Sequence, residues 1–260
     1  MSETSLRMDG KRVLVTAGAA GIGRAIAATF LDQGARVHIC DIDTRALERC
    51  RKDLGASQSV ADVSRLADVE RLFADVKREL GGLDVLVNNA GIAGPTAKIE
   101  DIVPAEWERT IAVDLHSMFY CTRLAMPLIK AAGGGSIINL SSAAGRLGYP
   151  LRTPYSSAKW AVVGFTKSLA MEAGPDGVRV NCIQPGFVEG ERIDQVIEAK
   201  AKARGVSAAA QREQLLSRVS MRTTVTAQDI ANMALFLASD AGAHVSGQSL
   251  AVCGNVETLS

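Results

Sequence analysis

Aromatic residues are scarce in this sequence: Phe, Trp and Tyr make up 4% of its 260 residues, and only three are tyrosines. Net charge is nearly absent too. The 29 basic side chains against 28 acidic ones leave +1, which gives no electrostatic reason to expect nucleic acid or an anionic membrane as a partner. No apolar run approaches the roughly 20 residues that a membrane span needs. The opening "MSETSLRMDG" is polar, unlike a signal peptide. The five cysteines, Cys40, Cys50, Cys121, Cys182 and Cys253, are scattered with no C-x-x-C pair, the usage expected of a reduced, cytoplasmic protein that treats cysteine as a small apolar residue. His38, His116 and His244 lie far apart, so no metal site is expected.

What is present is an alternation. "RVLVTAG" from Arg12 is a short β-branched run, and "GIGRAIAATFLDQG" after it carries apolar residues at helical spacing up to Gly34. The same exchange repeats: strand-like "ARVHICD", "SQSVADV", "LDVLVNNAG", "GSIINLSS", "VRVNCIQPG" and "SLAVCG" are separated by helical stretches. Among these are a long one from Pro104 to Ala132 and another from Pro154 to Ala173. Strands alternating with helices of this length predict βαβ units. The expected fold is α/β, a single Rossmann-type doubly wound domain over residues 1–260, with a seven-stranded parallel sheet covered by helices on both faces. Ligands then sit at the carboxyl ends of the strands. The polar stretch at about 189–224 breaks the rhythm. It is either a substrate lid beside the mouth of the sheet or a solvated pair of surface helices.

Three segments at strand ends point to a dinucleotide. "TAGAAGIGRAIA" from Thr16 leaves the first strand and opens the first helix, so small residues let the backbone approach a pyrophosphate at a helix N-terminus. Its glycines, Gly18, Gly21 and Gly23, do not follow G-x-G-x-x-G, and a tight strand–helix turn alone would also need glycine. Asp41 ends the second strand. A carboxylate there accepts hydrogen bonds from ribose hydroxyls and repels a 2′-phosphate, favouring NAD over NADP, unless it caps the next helix, a role open also to Asp43. "NNAG", Asn88 to Gly91, ends the fourth strand and leaves room for a flat ligand.

The chemistry points to "TPYSSAKW". Thr153 suits a helix N-cap and Pro154 a first helical position, so Tyr155 and Lys159 stand one turn apart on one face. A free phenol gives up its proton only near pH 10. A neighbouring ammonium stabilises the phenolate and makes the pair a usable acid and base. Ser142, thirteen residues earlier at a strand end, can hold a substrate oxygen beside the phenol.

Taken together, the glycine loop, "ADV" at Ala61–Val63, "NNAG", Ser142, "YSSAK" at Tyr155–Lys159, "RVNCIQPG" at Arg179–Gly186 and "SGQSL" at Ser246–Leu250 resemble the short-chain dehydrogenase/reductase family over nearly the whole chain. The resemblance implies that Tyr155 is the proton donor or acceptor, that Lys159 tunes it and binds the nicotinamide ribose, and that Ser142 orients the substrate oxygen. It places Ala17, Gly18, Gly21, Ile22 and Gly23 at the cofactor, Asp62 and Val63 at the adenine, Asn89, Ala90 and Gly91 on the adenosine side, and Pro185, Gly186 and Val188 at the nicotinamide. It also implies a homodimer or homotetramer packed through the helices around Asp101–Ala132 and Pro154–Ala173.

Three positions depart from the family pattern. Ala17 stands where glycine is common. Asp114 replaces the asparagine that holds a water in a proton relay; a charged side chain there favours the cationic form of Lys159. Gly190 stands where a threonine commonly meets the carboxamide. For the substrate, the resemblance turns attention to Arg152, at a position that is basic in the family's 3-hydroxybutyrate dehydrogenases and meets a carboxylate. Arg146 is a second possible partner, and Glu189 opens the polar lid segment "VEGERID". The expected activity is NAD-dependent oxidation of a secondary alcohol on a small polar carboxylated molecule, such as a sugar acid or 2-keto-3-deoxy sugar acid. The alternatives are a 3-oxoacyl thioester reductase, a polyol or sugar dehydrogenase, and a non-enzymatic NAD-binding regulator.

Overall fold

The computed structural model describes residues 6–259; Met1 to Ser5 of the polar opening segment lie outside the described residues. The strands are β1 (Arg12–Thr16), β2 (Arg36–Asp41), β3 (Ser57–Val60), β4 (Val85–Asn88), β5 (Gly135–Leu140), β6 (Val178–Pro185) and β7 (Ser249–Val252). All pair in parallel, in the order β3-β2-β1-β4-β5-β6-β7. This is the doubly wound Rossmann-type sheet, with its order reversing beside β1, where a crevice opens between β1 and β4.

Both faces of the sheet are apolar, as a parallel sheet requires. Along β1, Val13 and Val15 enter one core with Ile26, Phe30 and Ile230, whereas Leu14 enters the other with Leu72, Ile129 and Ile137. The first core lies under α1 (Gly21–Asp32), α2 (Thr44–Leu54) and α9 (Ala227–Ala238). The second lies under α3 (Leu66–Leu80) and α5 (Ser117–Ala131), with the end of α6 (Thr153–Ala173). His38 is a packing residue on β2, its ring nitrogens bonded to the Ser57 and Ser59 hydroxyls at 2.8 and 3.0 Å.

One expectation is refined and one needs correction. The stretch from Pro104 to Ala132 is not a uniform α-helix. It is α4 (Pro104–Ile111), a π-helical turn at Ala112–His116, and α5, with Pro127 inside α5. And Thr153 does not cap α6: the N-cap is Arg152, with φ −134°, and Thr153 is the first helical residue. The polar insertion forms two helices, α7 (Glu191–Arg204) and α8 (Ala208–Ser217), outside the sheet and beside the carboxyl end of β6.

Candidate functional site

One cavity of about 630 Å³ opens along the carboxyl ends of the strands. At one end lies the turn between β1 and α1. Asn89 crosses to it from β4, donating from Nδ2 to the carbonyls of Thr16 (2.9 Å) and Ala17 (3.0 Å). These bonds hold Ala17 in a left-handed conformation, φ +48°, that costs an L-residue about 1–2 kcal/mol. Gly23 is required by close approach: a Cβ there would lie 2.2 Å from the Ala17 carbonyl oxygen and 2.5 Å from Asn89 Nδ2. Helix α1 has no acidic residue in its first turn and no side-chain cap, so its first N–H groups are left to an anion, and Gly21 and Ile22 line the cavity there. That cradle fits a pyrophosphate.

Asp41 also lines the cavity. Capping is done by Asp43, which accepts from Arg45 N and Ala46 N, so Asp41 is not spent on α2. Its carboxylate instead accepts from the backbone N–H groups of Ala19 (3.2 Å), Ile42 (2.8 Å) and Asp43 (3.2 Å), which fix it at the mouth. Asn89, Gly91, Pro185, Gly186 and Val188 line the same cavity. Gly18, Gly23, Ala90, Asp62 and Val63 do not. Val63 is buried, and the Asp62 carboxylate accepts from the Ser64 amide and hydroxyl and pairs with Arg109 at 3.3 Å. Gly190 does line it, with φ +128° and ψ 174°, a region open essentially only to glycine. This backbone geometry accounts for glycine where a threonine is common.

The acid–base residues converge in the middle of the cavity. Tyr155 and Lys159 lie on the first turns of α6, with Lys159 Nζ 5.6 Å from the Tyr155 ring centre. Lys159 is buried, donates to the Leu140 carbonyl at the end of β5 (3.1 Å), and pairs with Asp114 Oδ2 at 3.7 Å. The π-helical turn brings Asp114 here; its Oδ1 accepts from the Ile92 amide at 2.7 Å. Gly91 sits against both groups: a Cβ there would lie 3.3 Å from Asp114 Oδ1 and 3.3 Å from Lys159 Nζ. The Ser142 hydroxyl accepts from the Ala144 amide at 3.1 Å, leaving its own proton for an oxygen in the cavity.

Beyond Tyr155, Arg152 is only 2% exposed and lines the cavity. One guanidinium nitrogen donates to the Ala93 carbonyl, while Nε and Nη1 have no hydrogen-bond partner. The guanidinium lies between two rings, 5.3 Å from Tyr149 and 5.1 Å from Tyr155. Arg146, by contrast, is not a wall of this cavity. It donates to Cys253 Sγ (3.1 Å) and the Val256 carbonyl (3.4 Å), tying down the segment after β7. Glu189 stands at the rim, accepting from the Thr224 hydroxyl at 2.6 Å.

Sequence reasoning passed over Arg192, Lys200 and Leu259. Arg192, at the start of α7, lines the cavity, donates to the Gly91 carbonyl at 3.1 Å and lies 6.0 Å from the Tyr155 ring centre. Lys200, two turns on, is buried with its ammonium 4.0 Å from the Tyr149 ring centre. Burial first, then Arg204, Arg152 and Arg218, push its pKa down to about 7. Between that value and the usual lysine range the unfolded chain binds the extra proton, so stability rises with pH there. Lys200→Met is therefore expected to raise the melting temperature most at pH 7 and below, with the gain shrinking as pH rises toward 10. Thermal melts at pH 6 and pH 9.5 check this, and a gain that grows with pH would contradict it.

These features place a cradle that fits a dinucleotide and the Tyr155–Lys159 pair, a candidate acid–base centre, along one cavity. Comparison with known proteins agrees. A family model described as "Enoyl-(Acyl carrier protein) reductase" matches residues 17–255. The chain is 35% identical over 246 residues to D-beta-hydroxybutyrate dehydrogenase of Cupriavidus necator, covering 92% of this chain and 95% of that one. It is 35% identical over 238 residues to D-xylose 1-dehydrogenase of Caulobacter vibrioides, covering 90% of each. Among solved structures, NAD+-bound xylitol dehydrogenase superposes with a TM-score of 0.90 at 26% identity, covering 95% of this chain and 99% of that chain. A 7α-hydroxysteroid dehydrogenase complexed with NADH and 7-oxo glycochenodeoxycholic acid gives 0.88 at 32% identity, covering 98% of both. The chain belongs to the short-chain dehydrogenase/reductase family. It is an oxidoreductase of alcohol and ketone groups.

Proposed function

We propose that the enzyme uses NAD+ to oxidise a secondary alcohol on a small molecule that carries a carboxylate. The observation that carries this reading is Arg152, a residue of the cavity wall beside Tyr155 whose guanidinium holds two buried nitrogens without a hydrogen-bond partner. A buried cation without an anion is costly, and a guanidinium is shaped to take a carboxylate through two parallel hydrogen bonds. Asp41 supports NAD as the cofactor, because its carboxylate suits a ribose diol and repels a phosphate.

When bound, NAD+ supplies the acceptor for the hydride from the alcohol carbon. The protein does the rest. Arg152 holds the carboxylate and Ser142 donates its free proton to the reacting oxygen. Tyr155 takes the hydroxyl proton as the alcohol carbon becomes a ketone. Lys159, paired with Asp114 at 3.7 Å and with its Nζ 5.6 Å from the Tyr155 ring centre, sets an ammonium beside the phenol that takes the proton. In the reducing direction Tyr155 returns the proton.

NADH formation from NAD+ across hydroxy acids, sugar acids, polyols and neutral secondary alcohols tests this reading. Reaction confined to acids supports it. Equal rates with neutral polyols would sink the carboxylate while leaving the dehydrogenase. Much faster reduction of 3-oxoacyl thioesters with NADPH would replace it with an acyl reductase.

Cofactor choice has its own test. Wild-type kcat/KM is expected to favour NAD+ over NADP+ by about 10²-fold or more, since like charges set against each other cost several kcal/mol. Asp41→Ser is expected to narrow that ratio at least ten-fold. The ratio is the proper readout, because Asp41 also holds three backbone amides.

The quaternary structure belongs to the same reading. Val103 and Trp107 on and beside α4, Phe119 on α5, and Trp160 and Met171 on α6 are exposed large apolar side chains on the helical segments where a partner would pack. A homodimer or homotetramer would cover them.

A further inference from the structure

The segment after β7 reverses at Gly254 and Asn255, both left-handed at φ +61° and +60°, and runs back toward the cavity. Backbone bonds from Ser220 N to Asn255 O (2.9 Å), Met221 N to Gly254 O (3.1 Å) and Glu257 N to Arg218 O (3.0 Å) tie it to the turn that follows α8. Leu259 then lies beyond these bonds. It is buried, lines the cavity, and shares an apolar cluster with Tyr149, Tyr155, Phe187 and Ile193. Among the described residues one bond holds its backbone: Lys200 Nζ donates to the Leu259 carbonyl at 3.1 Å. Lys200 is on α7, the helix that also supplies Arg192, Ile193 and Val196 to the cavity. Lys200, 4% exposed, with arginines around its ammonium and, among the described residues, this one carbonyl as its hydrogen-bond acceptor, is an expensive way to hold a chain segment. It makes physical sense if the residue it holds has a task in the cavity.

We infer that Leu259, pinned through its carbonyl by Lys200, closes the apolar end of the substrate cavity and limits the length of the aliphatic tail that a substrate can carry. This rests on the carboxylate reading above and refines it. With the carboxylate at Arg152 and the reacting carbon at Tyr155, the apolar part of the wall, Phe187, Ile193 and Leu259 packed in one cluster with Val196 beside them, presents carbon, while the polar lining of this region is Arg192, Glu189 and Glu191. Such a wall suits a hydroxy acid with a short hydrocarbon tail better than a sugar acid, whose hydroxyls would be left without partners there. Lys200 is a positioning residue: it acts through Leu259 and touches no reacting atom.

Two measurements test the inference separately. The first is kcat/KM over straight-chain hydroxy acids of increasing length, for the wild type, Leu259→Ala and Lys200→Met. Wild-type values are expected to fall steeply past a short optimum. Both variants should move that optimum to longer chains, and acids two or three carbons longer should gain about ten-fold or more, the scale on which a pocket senses methylenes. The shortest acids should lose several-fold, through KM. The second is amide hydrogen exchange of the segment from Gly254 to Leu259, which needs no substrate. Lys200→Met is expected to reduce its protection about ten-fold, the loss of one charge-assisted bond, while Leu259→Ala leaves the Glu257 amide protected. An unshifted length profile in both variants overturns the specificity role. Unchanged exchange in Lys200→Met overturns the pinning. If no hydroxy acid of any length reacts with the wild type, the carboxylate reading fails and takes the tail-length role with it, while exchange still decides whether Lys200 holds the segment.

Discussion

Tyr155→Phe is expected to lower kcat by about 10³-fold, roughly 4 kcal/mol of barrier, and to leave NADH binding within a few-fold of the wild type. The substitution removes one oxygen and keeps the ring. That ring packs between Arg152, Lys159 and Arg192, whose charged groups lie 5.1, 5.6 and 6.0 Å from its centre. The surroundings therefore need not rearrange. Lys159 keeps its bond to Leu140 and its pairing with Asp114, so the part that the family resemblance implies for it, holding the nicotinamide ribose, would be retained. Turnover measured with saturating cofactor, beside NADH titrated by fluorescence, separates the two effects. A variant with a tenth or more of wild-type kcat would show that another group carries the proton. Parallel loss of NADH binding would show that the phenol serves the cofactor first.

Arg152→Met has the second large effect. For carboxylated substrates kcat/KM is expected to fall by about 10²–10³-fold, some 3–4 kcal/mol, mainly through KM, while neutral alcohols change little. The magnitude comes from burial. A guanidinium at the surface would contribute far less to holding an anion. Methionine fills much of the volume without the charge, so the protein should hold its melting temperature or gain, since removing an unpaired buried cation offsets the lost bond to Ala93. A drop in kcat alone, at constant KM, would move Arg152 from anchoring the substrate to shaping the transition state. A drop in melting temperature with unaltered KM would make it a structural residue.

Much of this protein is legible from residues taken in order, because the signals are local. Val13, Leu14 and Val15 alternate between two apolar faces, so the run announces a buried parallel strand. The glycines after Thr16 and the four-residue spacing of Tyr155 and Lys159 declare a turn and a shared helix face. Asp41 at a strand end is readable once Asp43 is seen to be a sufficient cap.

Other features arise only from packing. Arg146 and Arg152 are six residues apart with the same chemistry. One is bonded to Cys253 and Val256 and the other faces the cavity, because a segment more than a hundred residues later folds back beside the first. The π-helical turn that aims Asp114 at Lys159 has no periodic signature, since it interrupts a helix that looks continuous in sequence. Lys200 looks like one of many charges on a polar helix until Leu259 arrives to meet it. Here the only local hint was the Gly254–Asn255 pair, a turn signal without a destination. The alternating elements, the glycine-rich turn and the pairing of Tyr155 with Lys159 on one helix face are readable in order along the chain, because each depends on residues within a few positions of one another. Which cations line the cavity, and what closes its apolar end, follow only from the tertiary structure, because they depend on contacts made across the whole chain.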